Sequence, residues 1–136
     1  MKGLISEKNY GDTVWLDPIG KAQETVKQLR GDEKCDYVIC LSHLGLTYKE
    51  DPSKMCDILL ARNVEGIDLI IGGHTHTFLS KPLTETAPDG RKVLINQVGW
   101  AGINLGRIDV DFSYQHQPKD WQSATINIVD NSWKTT

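Results

Sequence analysis

The chain has 136 residues, of which 15 are Lys or Arg and 18 are Asp or Glu, so its formal net charge is −3. A globular chain of this size buries roughly 68% of the surface that its unfolded form exposes, which is enough for one domain without disulfides. The pI of about 5.7 and the lack of a basic cluster exclude a binder of the nucleic-acid backbone. No apolar run approaches the ~20 residues that span a bilayer, and the N-terminal sequence MKGLISEKNYGD lacks the apolar segment of a secretory signal. A soluble chain with no membrane partner is expected.

The first predicted elements are a helix and a strand. Asp17 followed by Pro18 is typical of a helix start, and apolar residues recur at helical spacing until Gly31. A short β-branched apolar run over residues 36–42 then predicts a strand that is buried on both faces, as in a parallel sheet.

The same pair of elements follows once more. A second Asp-Pro pair, at Asp51 and Pro52, predicts the start of another helix. The run 67–71 is again short, branched and apolar, and it ends at two glycines. The order helix, strand, helix, strand predicts an α/β unit with right-handed crossovers and helices packed against the sheet.

The C-terminal part has a different pattern, with alternating faces and no helix between the predicted strands. Residues 84–90 are rich in turn formers and predict a surface loop. Leu105 is one residue out of phase with Ile108, so a bulge near Gly106 is expected. The pairing is predicted to be mainly antiparallel for three strands: 91–98, 103–112 and 121–129.

Cys35, Cys40 and Cys56 are an odd number of cysteines without Cys-x-x-Cys spacing. This pattern fits neither a disulfide framework nor a zinc site. The three residues are predicted to be buried free thiols in strands and a helix.

Three of the four histidines follow predicted strands. His43 comes directly after the first strand, and His74 and His76 come after the second. Ligands of open α/β sheets bind outside the carboxyl ends of the strands, so the three imidazoles are expected to lie close together. Imidazole is the commonest metal-binding side chain, and the two glycines before His74 would let the backbone pass close to a metal or phosphate.

Other titratable residues have no such setting. His116 lies in a polar stretch and is expected to have no role at a site. Asp36 and Asp68 lie at the beginning of the predicted strands, at the end opposite the histidines, so they are expected to be strand-entry residues and not an acid/base pair.

Two segments carry a family resemblance. The sequence LSHLG at residues 41–45 and GIDLIIGGHTHT at residues 66–77 resemble the last two metal-binding motifs of the calcineurin-like metallophosphoesterases. Within that family the chain is most similar to the 5′-nucleotidase, UDP-sugar hydrolase and 2′,3′-cyclic phosphodiesterase branch, with which residues 98–102 and 105–108 also agree. The resemblance implies that residues 1–136 form the C-terminal half of an α/β sandwich domain, a βαβ unit followed by mainly antiparallel strands.

The resemblance also implies a dinuclear metal site and a nucleotide substrate. By the family pattern, His43 and His74 would bind one divalent ion and His76 the other. Two such ions would activate a hydroxide and stabilise charge on the phosphoryl oxygens. Imidazole with carboxylate suits Zn²⁺, Mn²⁺, Fe²⁺ or Co²⁺, and the sequence does not choose among them.

The chain departs from the family pattern upstream. Residues 1–42 contain no Asp-x-His, no Gly-Asp after a buried strand and no Gly-Asn-His-Glu/Asp motif. No catalytic residue is therefore assigned, and the isolated chain is predicted to have little or no phosphohydrolase activity. The reason is that it lacks a carboxylate to hold two cations together and a histidine to protonate the leaving group. The alternatives are a non-catalytic metal- or partner-binding module that retains a half-site, and a folded piece without a ligand.

Half a sheet is expected to leave an exposed strand edge and an apolar face. A homodimer, or pairing with the missing N-terminal half, is therefore predicted. The family is often periplasmic or secreted, but the chain itself carries no export signal by which to assign a location. Trp100 and Trp121 are expected to pack in the core or at a sheet edge and not to clasp a base.

Overall fold

The computed structural model describes residues 7–128. Across that range no helix is long and apolar enough to cross a membrane. In chain order the elements are α1 (Glu7–Tyr10), α2 (Pro18–Gly31), β1 (Ile39–Leu41), α3 (Asp57–Asn63), β2 (Leu69–Ile71), β3 (Leu83–Thr86), β4 (Lys92–Asn96), β5 (Asn104–Phe112) and β6 (Pro118–Asn127).

Helix α2 confirms its prediction at both ends. The Asp17 carboxylate accepts a hydrogen bond from the Gly20 backbone N–H at 2.6 Å, which satisfies a donor that has no partner within the helix. Pro18 occupies the first turn, and Val26 is the buried residue of the helix. Capping and periodicity depend on residues in or next to the helix, so the sequence alone is sufficient to predict where α2 begins and ends.

Helix α3 begins later than predicted. The start expected at Asp51 and Pro52 is wrong, because the Asp51 carboxylate accepts hydrogen bonds from the Ser53 backbone N–H at 3.1 Å and from the Ser53 hydroxyl at 2.6 Å. Such local side-chain bonds give the backbone an alternative to the helix. The helix starts at Asp57, with Cys56 as its N-cap residue.

The main sheet has four strands in the order β1-β2-β4-β3. Strands β1, β2 and β4 are parallel, while β3 pairs antiparallel with β4. The predicted βαβ unit is confirmed. The antiparallel pairing expected for the 91–98 strand is confirmed in part, since β4 is antiparallel to β3 but parallel to β2. The predicted 84–90 loop is corrected, because part of it is strand β3. The turn after β3, closed by the Gly90 N–H bond to the Ala87 carbonyl at 2.9 Å, brings β4 back beside β2.

Strands β5 and β6 form a separate antiparallel hairpin, as predicted for the C-terminal part. The bulge expected near Gly106 is wrong, since the pairing there is continuous and the irregularity lies between Asp111 and Phe112. A Cβ at Gly106 would lie 2.7 Å from both the Asn96 amide nitrogen and a Val98 methyl, so this inward position needs glycine. Leu105 consequently points outward and is exposed.

The core lies on the helix side of the main sheet. Its fully buried apolar side chains come from α3, the segment between α3 and β2, β2 itself and β4: Ala61, Val64, Ile67, Ile70, Val93 and Ile95. Cys56 is buried, but Cys40 in β1 is half-buried and Cys35 lies half-buried in the loop after α2, so the prediction of three buried thiols is corrected. All three are free thiols.

The opposite face of β1 is open. Ile39 and Leu41 register with Leu69 and Ile71, so these side chains share one face of the sheet. The β5–β6 hairpin contacts this face near β4 and does not cover β1, and Leu41 is 80% exposed. The prediction that β1 is buried on both faces is therefore wrong. We call the exposed residues Ile39, Leu41 and Ile71 the apolar patch.

Asp68 binds several groups at the end of the sheet opposite the histidines. Its buried carboxylate accepts hydrogen bonds from the Val38 backbone N–H at 2.6 Å and from Arg91 at 2.9 Å, and it also pairs with Arg30. Asp68 thus lies at a strand entry, as the sequence predicts, while Asp36 is exposed.

Candidate metal centre

The three predicted site histidines lie at the carboxyl ends of two adjacent parallel strands. His43 follows β1, and His74 and His76 follow β2. The ring centroids of His43 and His74 are 5.2 Å apart and meet edge to face. The ring of His76 instead stacks on Trp100, with centroids 5.7 Å apart and an interplanar angle of 15°. The structure therefore brings His43 and His74 into contact and gives His76 an aromatic neighbour.

The glycines before His74 leave room for two neighbouring side chains. A Cβ at Gly73 would lie 2.9 Å from His43 Nδ1, and a Cβ at Gly72 would lie 2.2 Å from a carboxylate oxygen of Asp57. Any larger residue would displace these groups. The two glycines let the β2 end pass directly beneath His43 and Asp57.

Asp57 is a buried polar residue of the site that the sequence does not reveal. One of its carboxylate oxygens accepts a hydrogen bond from the Ser42 hydroxyl, and the other has no partner among the described residues. Burial raises the pKa of Asp57, while the Ser42 hydrogen bond and the nearby His43 oppose the rise. An aspartate in the first turn of a helix is ordinary, so no sequence signal marks it as buried.

The loop after β1 is fixed from both sides of His43. The Ser42 hydroxyl oxygen accepts a hydrogen bond from the Leu44 N–H at 3.2 Å, and the Asp57 N–H donates to the Gly45 carbonyl at 2.8 Å. His43 thus projects from a short loop that the start of α3 restrains.

Trp100 and Gln97 are further neighbours of the histidines, and the sequence did not predict these contacts. Trp100 is 56% exposed and stacked on His76, so the expectation that it packs in the core or at a sheet edge is wrong. Gln97 is buried just beyond β4 and bonds to the loop that carries His74 and His76. Trp121 is half-buried and lines a cleft with Arg91, away from the histidines.

His116 lies apart from the other histidines. It is in the turn between β5 and β6, and its Nδ1 is 3.4 Å from a carboxylate oxygen of the exposed Asp36, which precedes β1. It is at the strand-entry end of the sheet.

The donor chemistry fits a metal, although the donor set is incomplete. Two exposed imidazoles in contact can serve as neutral nitrogen ligands for a borderline divalent ion. Within residues 7–128, however, no three His, Cys, Asp or Glu side chains are grouped closely enough to hold one.

Curated proteins similar to this chain are nucleotide phosphoesterases. The chain is 39% identical over 99 residues to the trifunctional nucleotide phosphoesterase protein YfkN of Bacillus subtilis (strain 168), a match that covers 73% of this chain and 6% of that protein. It is 33% identical over 116 residues to an apyrase of Tabanus yao, covering 75% and 20%. It is also 33% identical over 112 residues to the 5′-nucleotidase of Rattus norvegicus, covering 73% and 18%. No family model matches the chain.

Solved structures agree with these sequence matches. The 5′-nucleotidase precursor of Thermus thermophilus superposes with a TM-score of 0.68 at 28% identity, covering 82% of this chain and 23% of that one. The NAD nucleotidase NadN of Haemophilus influenzae gives a TM-score of 0.64 at 26% identity, covering 80% and 20%. The chain belongs to the calcineurin-like phosphoesterases.

The calcineurin-like phosphoesterase fold explains the arrangement of the elements. The calcineurin-like phosphoesterase YfkN from Bacillus subtilis superposes with a TM-score of 0.62 at 24% identity, over 92% of this chain and 41% of that one, and so supports the fold. The mixed α/β architecture with a parallel sheet is thereby confirmed. Divalent metal ions are expected for this family of metallophosphoesterases. The chain spans 6% to 20% of the length of the curated relatives named above.

Proposed function

We propose that this chain is part of a dinuclear-metal phosphohydrolase that acts on nucleotides, of the 5′-nucleotidase or UDP-sugar hydrolase type. In this proposal residues 1–136 are the C-terminal half of the catalytic domain. The contact between His43 and His74, at the ends of two parallel strands, is the observation that carries it. The names of the relatives, which include an apyrase, a 5′-nucleotidase and an NAD nucleotidase, support a nucleotide substrate.

His43, His74 and His76 are the proposed metal ligands. Following the family pattern, His43 and His74 serve one ion and His76 the other. Trp100 stacks on the ring of His76. Bound divalent ions supply an activated water and stabilise charge on the phosphoryl oxygens. Zn²⁺, Mn²⁺, Fe²⁺ and Co²⁺ are the candidates.

The remaining ligands are proposed to come from outside this chain. Residues 1–42 hold no carboxylate motif that could bridge two ions, and no histidine motif for protonating the leaving group. We therefore expect little or no turnover by the chain alone.

The apolar patch is the proposed contact for what completes the site. It lies on β1, the edge strand of the sheet and the strand that leads into His43, and on the neighbouring β2. Either the N-terminal half of the domain or a second copy of the chain would cover it, and both bury apolar area that is now exposed.

One experiment tests the proposed function. Metal content and the hydrolysis of 5′-AMP and of an aryl phosphate are measured on the chain alone and after adding the N-terminal half of the YfkN phosphoesterase domain. We expect metal binding without turnover for the chain alone, and turnover after addition. Robust turnover by the chain alone would refute the proposal that external ligands are essential.

Variants of the histidines provide the matched comparison. His43→Ala and His74→Ala should each lower metal content, whereas His116→Ala, at the other end of the sheet, should leave it unchanged. Equal metal content in all three variants would contradict the ligand assignment.

A non-catalytic metal- or partner-binding module is the second candidate. It is favoured by the lack of a three-ligand group within residues 7–128. This function predicts that the chain retains metal through His43 and His74 but gains no turnover when the N-terminal half is added.

A further inference from the structure

The loop that carries His74 and His76 has a backbone conformation that needs outside support. The two histidines have φ angles of 72° and 53°. Residues with side chains adopt this left-handed region infrequently, and they keep it where the surrounding structure fixes them. Contacts from outside the loop are therefore expected to hold both residues.

Gln97 makes such contacts on both sides of the two histidines. It is 2% exposed and lies just beyond the end of β4, the strand beside β2. Its Nε2 donates to the Gly73 carbonyl at 2.7 Å, and its Oε1 accepts from the Thr77 backbone N–H. A single carboxamide thus spans the loop from the residue before His74 to the residue after His76.

Thr75 extends this connection to the loop of the third histidine. Its hydroxyl donates to Gln97 Oε1 at 3.0 Å and accepts from the Leu46 N–H at 3.0 Å. A hydroxyl has one proton, so the 3.0 Å contact between the Thr75 and Thr77 hydroxyls must be donated by Thr77. Gln97, Thr75 and the backbone of Leu46 therefore link the two loops that carry the histidines.

We propose that Gln97 is a positioning residue for the metal centre, whose carboxamide sets the backbone of His74 and His76 and, through Thr75, their relation to His43. The use of this arrangement for metal binding rests on the proposed function. The arrangement of the His43 and His74 rings, in contrast, can be measured on this chain without any metal.

The chemistry of the side chain suits this role. The carboxamide has two acceptor positions on oxygen and two donor protons on nitrogen, and here both acceptor positions and one donor are used. Glutamate would place a carboxylate against the Gly73 carbonyl, and asparagine is one methylene shorter. Methionine has the length of glutamine without its hydrogen-bonding groups.

Gln97→Met is the variant that tests the proposal, and Gln23→Met is its matched control. Gln23 also bridges backbone groups with its carboxamide: it accepts from the Glu65 N–H at 2.8 Å and donates to the Glu65 carbonyl at 3.4 Å, far from the histidines. Two NMR signals report the loop without metal, namely the ring-to-ring NOE between His43 and His74 and the amide proton shift of Thr77. The third measurement is Zn²⁺ affinity by calorimetry.

In Gln97→Met we expect the NOE to be lost, the Thr77 amide proton to move upfield and Zn²⁺ to bind about 10- to 100-fold more weakly, the range typical of residues that orient metal ligands. Gln23→Met should leave all three measurements unchanged. If Gln97→Met does not fold, Thr75→Val should lose the NOE alone, because Gln97 still accepts from Thr77.

An unchanged NOE and unchanged Thr77 shift in folded Gln97→Met would overturn the positioning role, as would an equal loss in Gln23→Met. An unchanged NOE in Thr75→Val would do so if that variant alone folds. A wild-type chain that binds no Zn²⁺ would contradict the metal-ligand assignment in the proposed function, while the two NMR signals would still decide the role of Gln97.

Discussion

The carboxyl group of Asp57 lowers the stability of the folded chain at neutral pH. It is fully buried, one of its oxygens has no partner among the described residues, and burial outweighs the opposing effects of the Ser42 hydrogen bond and of the nearby His43 on its pKa. Burying a charge without full pairing is unfavourable, and the group responds by holding its proton more strongly, which raises its pKa. Its position under Gly72 and against Ser42 indicates that it restrains the His43 loop at the expense of stability.

Asp57→Asn tests this cost. Since the pKa of Asp57 is raised in the folded state, the contribution of this group to folding stability is most favourable below its ordinary pKa of 3.8 and is lost as pH rises through the folded pKa. Asparagine has the same shape, still accepts from Ser42 and carries no charge. The variant should be more stable than wild type at pH 7, with the difference shrinking toward acid pH.

Urea unfolding at a series of pH values between about 4 and 7 measures the effect. Asp12→Asn, which changes an exposed aspartate, serves as the control. Parallel pH curves for Asp57→Asn and wild type would contradict the prediction.

Among the helices, α2 depends on local interactions that one substitution removes. Asp17→Ala deletes the acceptor for the Gly20 N–H and should lower the free energy of unfolding by about 1 kcal/mol. Asp32→Ala, at the other end of the same helix, should give no loss, because an acidic residue there faces the negative end of the helix dipole. Urea unfolding compares the two, and equal losses would rule out capping as the cause.

The elements also show which features a sequence can predict. The bounds of α2 follow from a cap and a repeat within the helix itself, so they were predictable. The start of α3 was not, because an Asp-Pro pair also forms a turn, as at Asp51. Strand β3 has only four residues, and its pairing with β4 depends on the turn between them.

The candidate site likewise has features that the sequence predicts and features that it does not. The histidines follow apolar strands, and the sequence marks their position. The positions of Asp57 and Gln97 depend on burial and on hydrogen-bond partners that are distant in the chain, such as Ser42 and Gly73. The stacking of His76 on Trp100 likewise joins residues from different loops, which periodicity cannot indicate.

At the scale of the whole molecule, the apolar patch predicts self-association. Leu41 is 80% exposed on an edge strand, and exposed apolar edges favour pairing between chains. Light scattering at micromolar concentration should give a mass above that of the monomer, and Leu41→Lys should shift it toward the monomer.

Tyr114→Lys is the control for charge, because Tyr114 is 100% exposed in the β5–β6 turn, away from the patch. It should leave the mass unchanged. A wild-type chain that is already monomeric would exclude association through β1.

The strand order β1-β2-β4-β3 has a consequence for how the chain assembles during synthesis. Strand β4 is made after β3 but lies between β3 and β2, so the sheet cannot grow by adding each new strand at its edge. Strands β1, β2 and β3 are therefore synthesised before the strand that joins β2 to β3. Gln97 follows directly at the end of β4. The step that completes the sheet therefore also brings Gln97 to the histidine loops, so the proposed half-site would form only once β4 has paired with β2.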